Sequence, residues 1–478
     1  MKMSLAGVVR IPLIAVALLA TTGMVLAQAP GGPGGPGPGG FGGPGAFGAP
    51  GGQGRRGAEP PAPPQVAAIP SFKPLTGPGK VYDSASALWP GKGLDRYNYV
   101  ADEYLLTGTA AGDPYVTRLV IRRPKDDRKF SGLVIAEPMH PAAAAAHAFE
   151  YNSLYIMDVG HIAVEIDTTG VEIISGFNPE RYGSLKVAQK QVSEILAQAG
   201  ALIKSAQSPI ANLKLRKMIL WGTSASSGMV VNYLPSHKVF KQANMSNIYD
   251  GFMPTMNGSK IEPVDVPIIQ VPTQNEYMEA STAVAAATPD SDEPGRQFRV
   301  YEFVGMAHLD SRNTRKRLQQ EDCLQPLSEV PIDAFASVAL HHLLQWVDKG
   351  ISPPKAPRVI MDLYTVNDGS LMQLDQYGNA MGGIRNTYVD LPLFKYTMHN
   401  PPNPATTGAG SGRMQTPLLC NLSGYQTALD PATVKKKYGT PASYVAQVEK
   451  RLKELEARGW SLPQYREVIL NDAKAVKF

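Results

Sequence analysis

Cysteine is nearly missing: the 478-residue chain has two, Cys323 and Cys420. Two thiols cannot frame a small disulfide scaffold or a paired-cysteine zinc site. There is no H-E-x-x-H, and His341 and His342, adjacent in a helical pattern, point to different faces. The one glycine-rich tract precedes no strand–helix unit, so neither a dinucleotide fingerprint nor a P-loop is present. No cofactor and no metal are therefore expected. Charge is sparse as well, with 18% charged residues and a formal net charge of +5 spread over the whole length. The short basic runs, around Arg312, Arg315, Lys316 and Arg317 and at Lys435-Lys436-Lys437, read as solvated helix faces. No nucleic-acid partner is expected.

Beyond the N-terminus no apolar run is long enough to span a bilayer. The first residues carry Lys2 and Arg10, then an almost wholly apolar stretch from Ile11 to Leu26. Val25-Leu26-Ala27 fits the small-residue rule for signal peptidase, with cleavage before Gln28. A retained anchor is the competing reading, but the apolar core falls short of the roughly 20 residues a spanning helix needs. No cysteine lies nearby for lipoprotein processing. Residues 1–27 are thus expected to be a cleavable signal peptide, and the mature protein periplasmic or secreted. Residues 28–65 are dominated by Gly and Pro, interrupted by Phe41, Phe47 and Arg55-Arg56. With irregular glycine spacing and few large apolar residues, the tract reads as a disordered tether rather than collagen. In an oxidising compartment Cys323 and Cys420 could pair, closing a loop of about 100 residues for at most roughly 4–5 kcal/mol. Two buried free thiols are the alternative.

From residue 66 onward strand-like runs alternate with helical patterns, the signature of a mostly parallel sheet covered on both faces. Tyr115–Arg122 alternates like an early antiparallel strand, whereas Gly132–Glu137 and Ile162–Ile166 read as buried strands. Ala188–Lys204 has apolar residues at helical spacing. Three further strands are expected at Asp250–Thr255, Val266–Val271 and Gln297–Val304. Ile332–Lys349 is an amphipathic helix ended by Gly350, and Pro441–Gly459 is another. Residues 353–478 form a C-terminal extension whose first part is rich in Pro and Gly.

The decisive stretch is Lys217-Met218-Ile219-Leu220-Trp221-Gly222-Thr223-Ser224-Ala225-Ser226-Ser227-Gly228. A strand runs into a turn of small residues with Ser224 at its centre, and a helix starts behind it. This is a nucleophile elbow, which lifts a serine hydroxyl above the sheet. The match to G-x-S-x-G is imperfect, since Ser226 stands in the fifth place.

Such a serine needs a base and an orienting acid, in the chain order Ser, acid, His, each at the exit of its own strand. Of eight histidines, His140, His147 and His161 precede the serine, and His237 sits on the elbow helix or just past it. His341 and His342 lie mid-helix, and His399 is in a Pro-rich loop. That leaves His308, after the last strand, as the base. Among the acids, Asp250 opens a strand, Glu302 lies inside one, and Glu262 and Asp265 precede one. Glu276 follows the penultimate strand and is the expected acid, with Glu279 beside it and Asp310 as a spare. The oxyanion donors are expected to be the Ala225 N–H and one from Pro138-Met139-His140-Pro141. Proline has no N–H, so Met139 or His140 must donate, and Met139 is favoured.

In these residues the chain resembles the bacterial exported "alpha/beta hydrolase domain" proteins, a group with a long C-terminal extension. The resemblance runs from about residue 100 to the end. Its marks are Glu180–Leu185, the elbow, Gln270–Glu276, Gly305–His308, Gly378–Arg385 with Val389–Pro392, and Cys420–Gly424. It implies an α/β-hydrolase fold, a Ser224–Glu276–His308 triad and esterase-like chemistry on a small-molecule ester, and says little about which ester. The family often has Gln where Ala225 stands, and Asp where Met278 stands. The alternatives are a non-catalytic exported binding protein of the same fold and an amide or peptide hydrolase using the same triad. Oligomeric state is not legible.

Overall fold

The computed structural model describes residues 62–477, apart from 87, 89–92, 143, 279–287, 315–317, 363–370 and 408–415. The expected signal peptide, nearly all of the tether, Glu279 and the basic residues at 315–317 lie outside the described residues. Among the described residues, no helix is long and apolar enough to cross a membrane.

The strands follow in chain order: β1 Gln65–Val66, β2 Ser71–Pro74, β3 Tyr99–Ala110, β4 Asp113–Pro124, β5 Leu133–Pro138 and β6 Ile162–Ile166. They continue with β7 Lys217–Thr223, β8 Phe240–Lys241, β9 Gly251–Thr255, β10 Ile268–Gln270, β11 Phe298–Val300, β12 Phe394–Thr397 and β13 Tyr425–Ala428. One nine-stranded sheet has the order β11-β10-β9-β7-β5-β6-β4-β3-β2. Its strands from β11 to β6 are parallel, and β4, β3 and β2 extend it antiparallel. Between β5 and β7 the winding reverses. The chain leaves β5 toward β6 and leaves β7 toward β9, opening a crevice at the strands' carboxyl ends.

Strand side chains alternate between two cores. Ile135, Ile219 and Trp221 face the layer that includes helix α1 (His147–Asp158) and the helix Ile332–Lys349. Val134, Met218 and Leu220 face helices α4 (Val192–Lys204) and α5 (Ala225–Val239), with the short helices α2 (Val171–Phe177) and α3 (Pro179–Tyr182) preceding them in the chain. Both faces being covered explains why these strands read as continuous apolar runs. The C-terminal extension joins the first core: Tyr444, Val448, Leu452 and Leu455 of the helix Pro441–Ala457 share a cluster with Phe335 and Leu343. The last strand is shorter than its apolar run suggests. It ends at Val300, after which Phe303 bridges Ile384 of the extension. The β3–β4 hairpin turns through Ala111 and Gly112, both at positive φ, as a two-residue hairpin loop requires.

Beside β4 lies a buried ionic cluster. Arg118 reaches Glu103, Glu165 and Asp167 at 2.6, 3.1 and 3.2 Å, and donates to the Tyr82 carbonyl. Ser84 Oγ donates to Glu165 at 2.6 Å, so the segment before β3 is tied to the sheet's polar interior. Burial and the neighbouring Glu165 hold Asp167 above the usual carboxylate range. Removing Arg118 takes the ion-pair partner from Asp167 in a dry site and leaves Glu165 to Arg122 and Glu103 to Arg181. Arg118→Met is therefore expected to cost about 3–5 kcal/mol, measured as a lowered urea midpoint; an unchanged midpoint would mean the cluster contributes nothing net.

Candidate active site

Ser224 stands between β7 and α5 at φ 53°, ψ −122°, a region an L-residue enters only under constraint. The constraint is visible. Its N–H donates to the Thr255 carbonyl at 3.0 Å, and its own carbonyl accepts from Ser227 and Gly228. Gly222 is required by space, since a Cβ there would stand 2.4 Å from the Ser226 carbonyl oxygen. Ser226, the departure from the elbow pattern, is buried with its hydroxyl folded back on Thr223, accepting from its N–H and donating to its carbonyl, both at 2.9 Å. A small side chain that satisfies itself locally packs here as glycine would.

Glu276 sits in the 3-10 turn Gln274–Met278 that follows β10. One carboxylate oxygen accepts from the Thr273 N–H and hydroxyl at 2.6 and 2.7 Å, which fixes the group. The other lies 2.6 Å from Nδ1 of His308. Nε2 of His308 lies 2.7 Å from Ser224 Oγ. Since a carboxylate only accepts, Nδ1 carries the proton and Nε2 is left to receive one from the serine. Three side chains from three strand exits thus form one hydrogen-bonded chain, with His308 and Glu276 mostly buried.

Other candidates are engaged elsewhere. His237 bonds Asp265 at 2.8 Å, and His342 bonds the Gly459 carbonyl. Asp250 holds Lys204 and the Met218 N–H at the far end of the sheet. Glu302 accepts from Tyr277 and from the Val359 N–H, and Asp310 caps the Arg312 N–H. Glu262 pairs with Lys260 on the surface.

For the oxyanion, Ala225 opens α5, where first-turn N–H groups have no helical partner. Met139 does not meet its expected role. Its N–H donates to the Ile166 carbonyl at 3.0 Å, because ladder pairing to β6 continues past Pro138; the His140 N–H is likewise taken by Ala145. Both amides are thus engaged by main-chain carbonyls.

The chain belongs to the alpha/beta hydrolase domain family. The match covers residues 71–471. Similar solved structures include esterase Est22, at 10% identity over 54% of this chain and 86% of that one, with a TM-score of 0.35. A cold-adapted esterase from an Arctic intertidal metagenomic library is 14% identical over 42% of this chain and 84% of that one, at TM-score 0.26. No curated protein matches the sequence.

Within this alpha/beta hydrolase, sequence reasoning missed the groups around the acid and the base. Thr273 holds Glu276. Asn275 accepts from the His308 N–H at 2.8 Å and donates to the Asn421 carbonyl at 3.1 Å. His399, set aside as a loop residue, sits at φ 65° beside the site; burial holds its imidazole below the usual histidine range, against the Asn275 main chain and the Glu276 charge. Cys323 and Cys420 form a disulfide. Among the described residues, no group of three His, Cys, Asp or Glu side chains is placed to hold a metal.

The elbow makes two glycines testable against each other. Gly222→Ala drives a methyl group into fixed backbone and is expected to cost about 3 kcal/mol, the upper end for overpacking. Gly228→Ala meets nothing within 4 Å and should gain about 0.5–1 kcal/mol as a helix residue. Thermal melts of both variants check the pair; equal effects would contradict the close-approach argument.

Proposed function

We propose that the protein is an exported serine hydrolase that cleaves a carboxylic ester through an acyl-enzyme on Ser224. The observation that carries the proposal is the unbroken chain from Ser224 Oγ through His308 to Glu276, at 2.7 and 2.6 Å. In this reading Ser224 Oγ attacks the ester carbonyl carbon while His308 Nε2 takes its proton. Glu276 keeps the imidazole in the right tautomer and stabilises the imidazolium. The oxyanion is met by the Ala225 N–H at the positive end of α5. His308 then protonates the leaving alkoxide, the ester C–O bond breaks, and the acyl group stays on Ser224. Water, deprotonated by the same imidazole, attacks the acyl-enzyme and releases the acid. Export accords with the charged and apolar N-terminal sequence and with the disulfide.

An organophosphonate probe is expected to label Ser224 in the purified protein. Ser224→Ala should abolish labelling and lower kcat on p-nitrophenyl esters by at least about 10⁴-fold. Glu276→Gln, which allows the wrong tautomer, should lower kcat by about 10³–10⁴-fold with little change in KM. Background ester turnover by a folded, oxidised sample would instead return the non-catalytic reading.

A further inference from the structure

The loops carrying the acid and the base meet at Asn275, which the reaction above does not use. Its side-chain oxygen accepts from the His308 N–H at 2.8 Å, and its side-chain nitrogen donates to the Asn421 carbonyl at 3.1 Å. Only one amide orientation satisfies both partners, an N–H on one side and a carbonyl on the other. One residue further on each side, the Leu309 N–H donates to the Leu422 carbonyl at 2.8 Å. Asn421 and Leu422 belong to the helix Thr416–Ser423, whose fully buried Cys420 is bonded to Cys323.

We infer that Asn275 is a positioning residue for His308, working against a wall formed by the disulfide-pinned helix Thr416–Ser423. This rests on the proposed roles of Ser224, Glu276 and His308. Glu276 and His308 come from different strand exits, and their contact tolerates little misplacement. Thr273 fixes the carboxylate, but it leaves the main chain of His308 unplaced. The Asn275 amide supplies that placement, because it belongs to the acid's own turn and grips the base's N–H. Its second hydrogen bond stops the amide from following the loop if the loop drifts. Asn275 is 8% exposed, so water replaces these bonds poorly. The extension thereby becomes part of the active site: it is the reference against which the acid and base loops are held.

The test compares the full oxidised protein with Asn275→Ala and with Cys323→Ala/Cys420→Ala. A phosphonate titration counts active sites, and p-nitrophenyl acetate gives kcat and KM per titrated site. The low-field proton resonance of His308 Nδ1 reports the bond to Glu276 directly. For Asn275→Ala, kcat per site should fall about 10–100-fold, with KM within about threefold, and the low-field resonance should shift or broaden. The double cysteine variant should change both readouts in the same direction. If the alanine variant does not fold, Asn275→Ser, too short to span both partners, gives the same readouts. Unchanged kcat per site, or a fall in kcat with the low-field proton in place, overturns the inference. Failure of the probe to label Ser224 in the unmutated protein would overturn the reading of the site itself, a different outcome.

Discussion

One hydrogen bond carries the strain on which the site depends: the Ser224 N–H to the Thr255 carbonyl. Ser224 is in a backbone conformation that costs of order 1–3 kcal/mol and persists only where its surroundings over-determine it. Thr255 supplies that determination from several directions. It pairs with Thr223 at the end of β9, bridges Val271 beyond β10, and accepts from the Trp221 indole while donating from its hydroxyl to the Gly222 carbonyl. A single residue thus couples the strand before Ser224 to the strand before Glu276. The register that places Glu276 level with Ser224 is fixed by the same pairing that holds the elbow in its turn.

The elbow was legible in the sequence because its causes are local. Gly222 precedes a serine between a strand and a helix, and the close approach of 2.4 Å to the Ser226 carbonyl shows why that position tolerates no side chain. That Glu276 and His308 meet beside Ser224 was legible for a different reason: parallel strands put their exits at one rim, so candidates could be sorted by position after a strand. Hydrogen bonds between loops were not legible. Nothing in the run Thr273-Gln274-Asn275-Glu276 indicates that Thr273 grips the carboxylate or that Asn275 grips His308, since both contacts depend on how two loops approach in space. The engagement of the Met139 amide is of the same kind. The sequence pattern ends a strand at Glu137, but pairing with β6 runs on through Pro138 and occupies the Met139 N–H.

The run Gln297–Val304 is apolar enough to read as one long strand, yet β11 stops at Val300. β11 is the edge strand of the sheet, next to β10. On its outer side Phe298 pairs with Ser291 and the Val300 N–H donates to the Asp290 carboxylate, and beyond Val300 the chain leaves the sheet. Phe303 bridges Ile384, the Val304 N–H donates to the Ile384 carbonyl, and Gly305 turns at φ 84° toward His308. The histidine therefore takes its position from the extension as much as from the sheet.

That division explains the chemistry of the C-terminal segment. An imidazole carried beyond a short edge strand would swing with its loop, and in the proposed roles the Ser224 hydroxyl needs it within hydrogen-bond reach to be deprotonated at all. The extension meets this requirement at both ends of the base loop, through Ile384 before His308 and Leu422 after it. The helix Pro441–Ala457 buries Val448, Leu452 and Leu455 in the same core that contains Trp221 and Ile219, so it cannot detach without exposing part of that core. The site is thus held in place partly by the last quarter of the chain. The disulfide reinforces that arrangement. Joining residues 97 apart in the sequence, it closes a long loop and so restricts the unfolded chain.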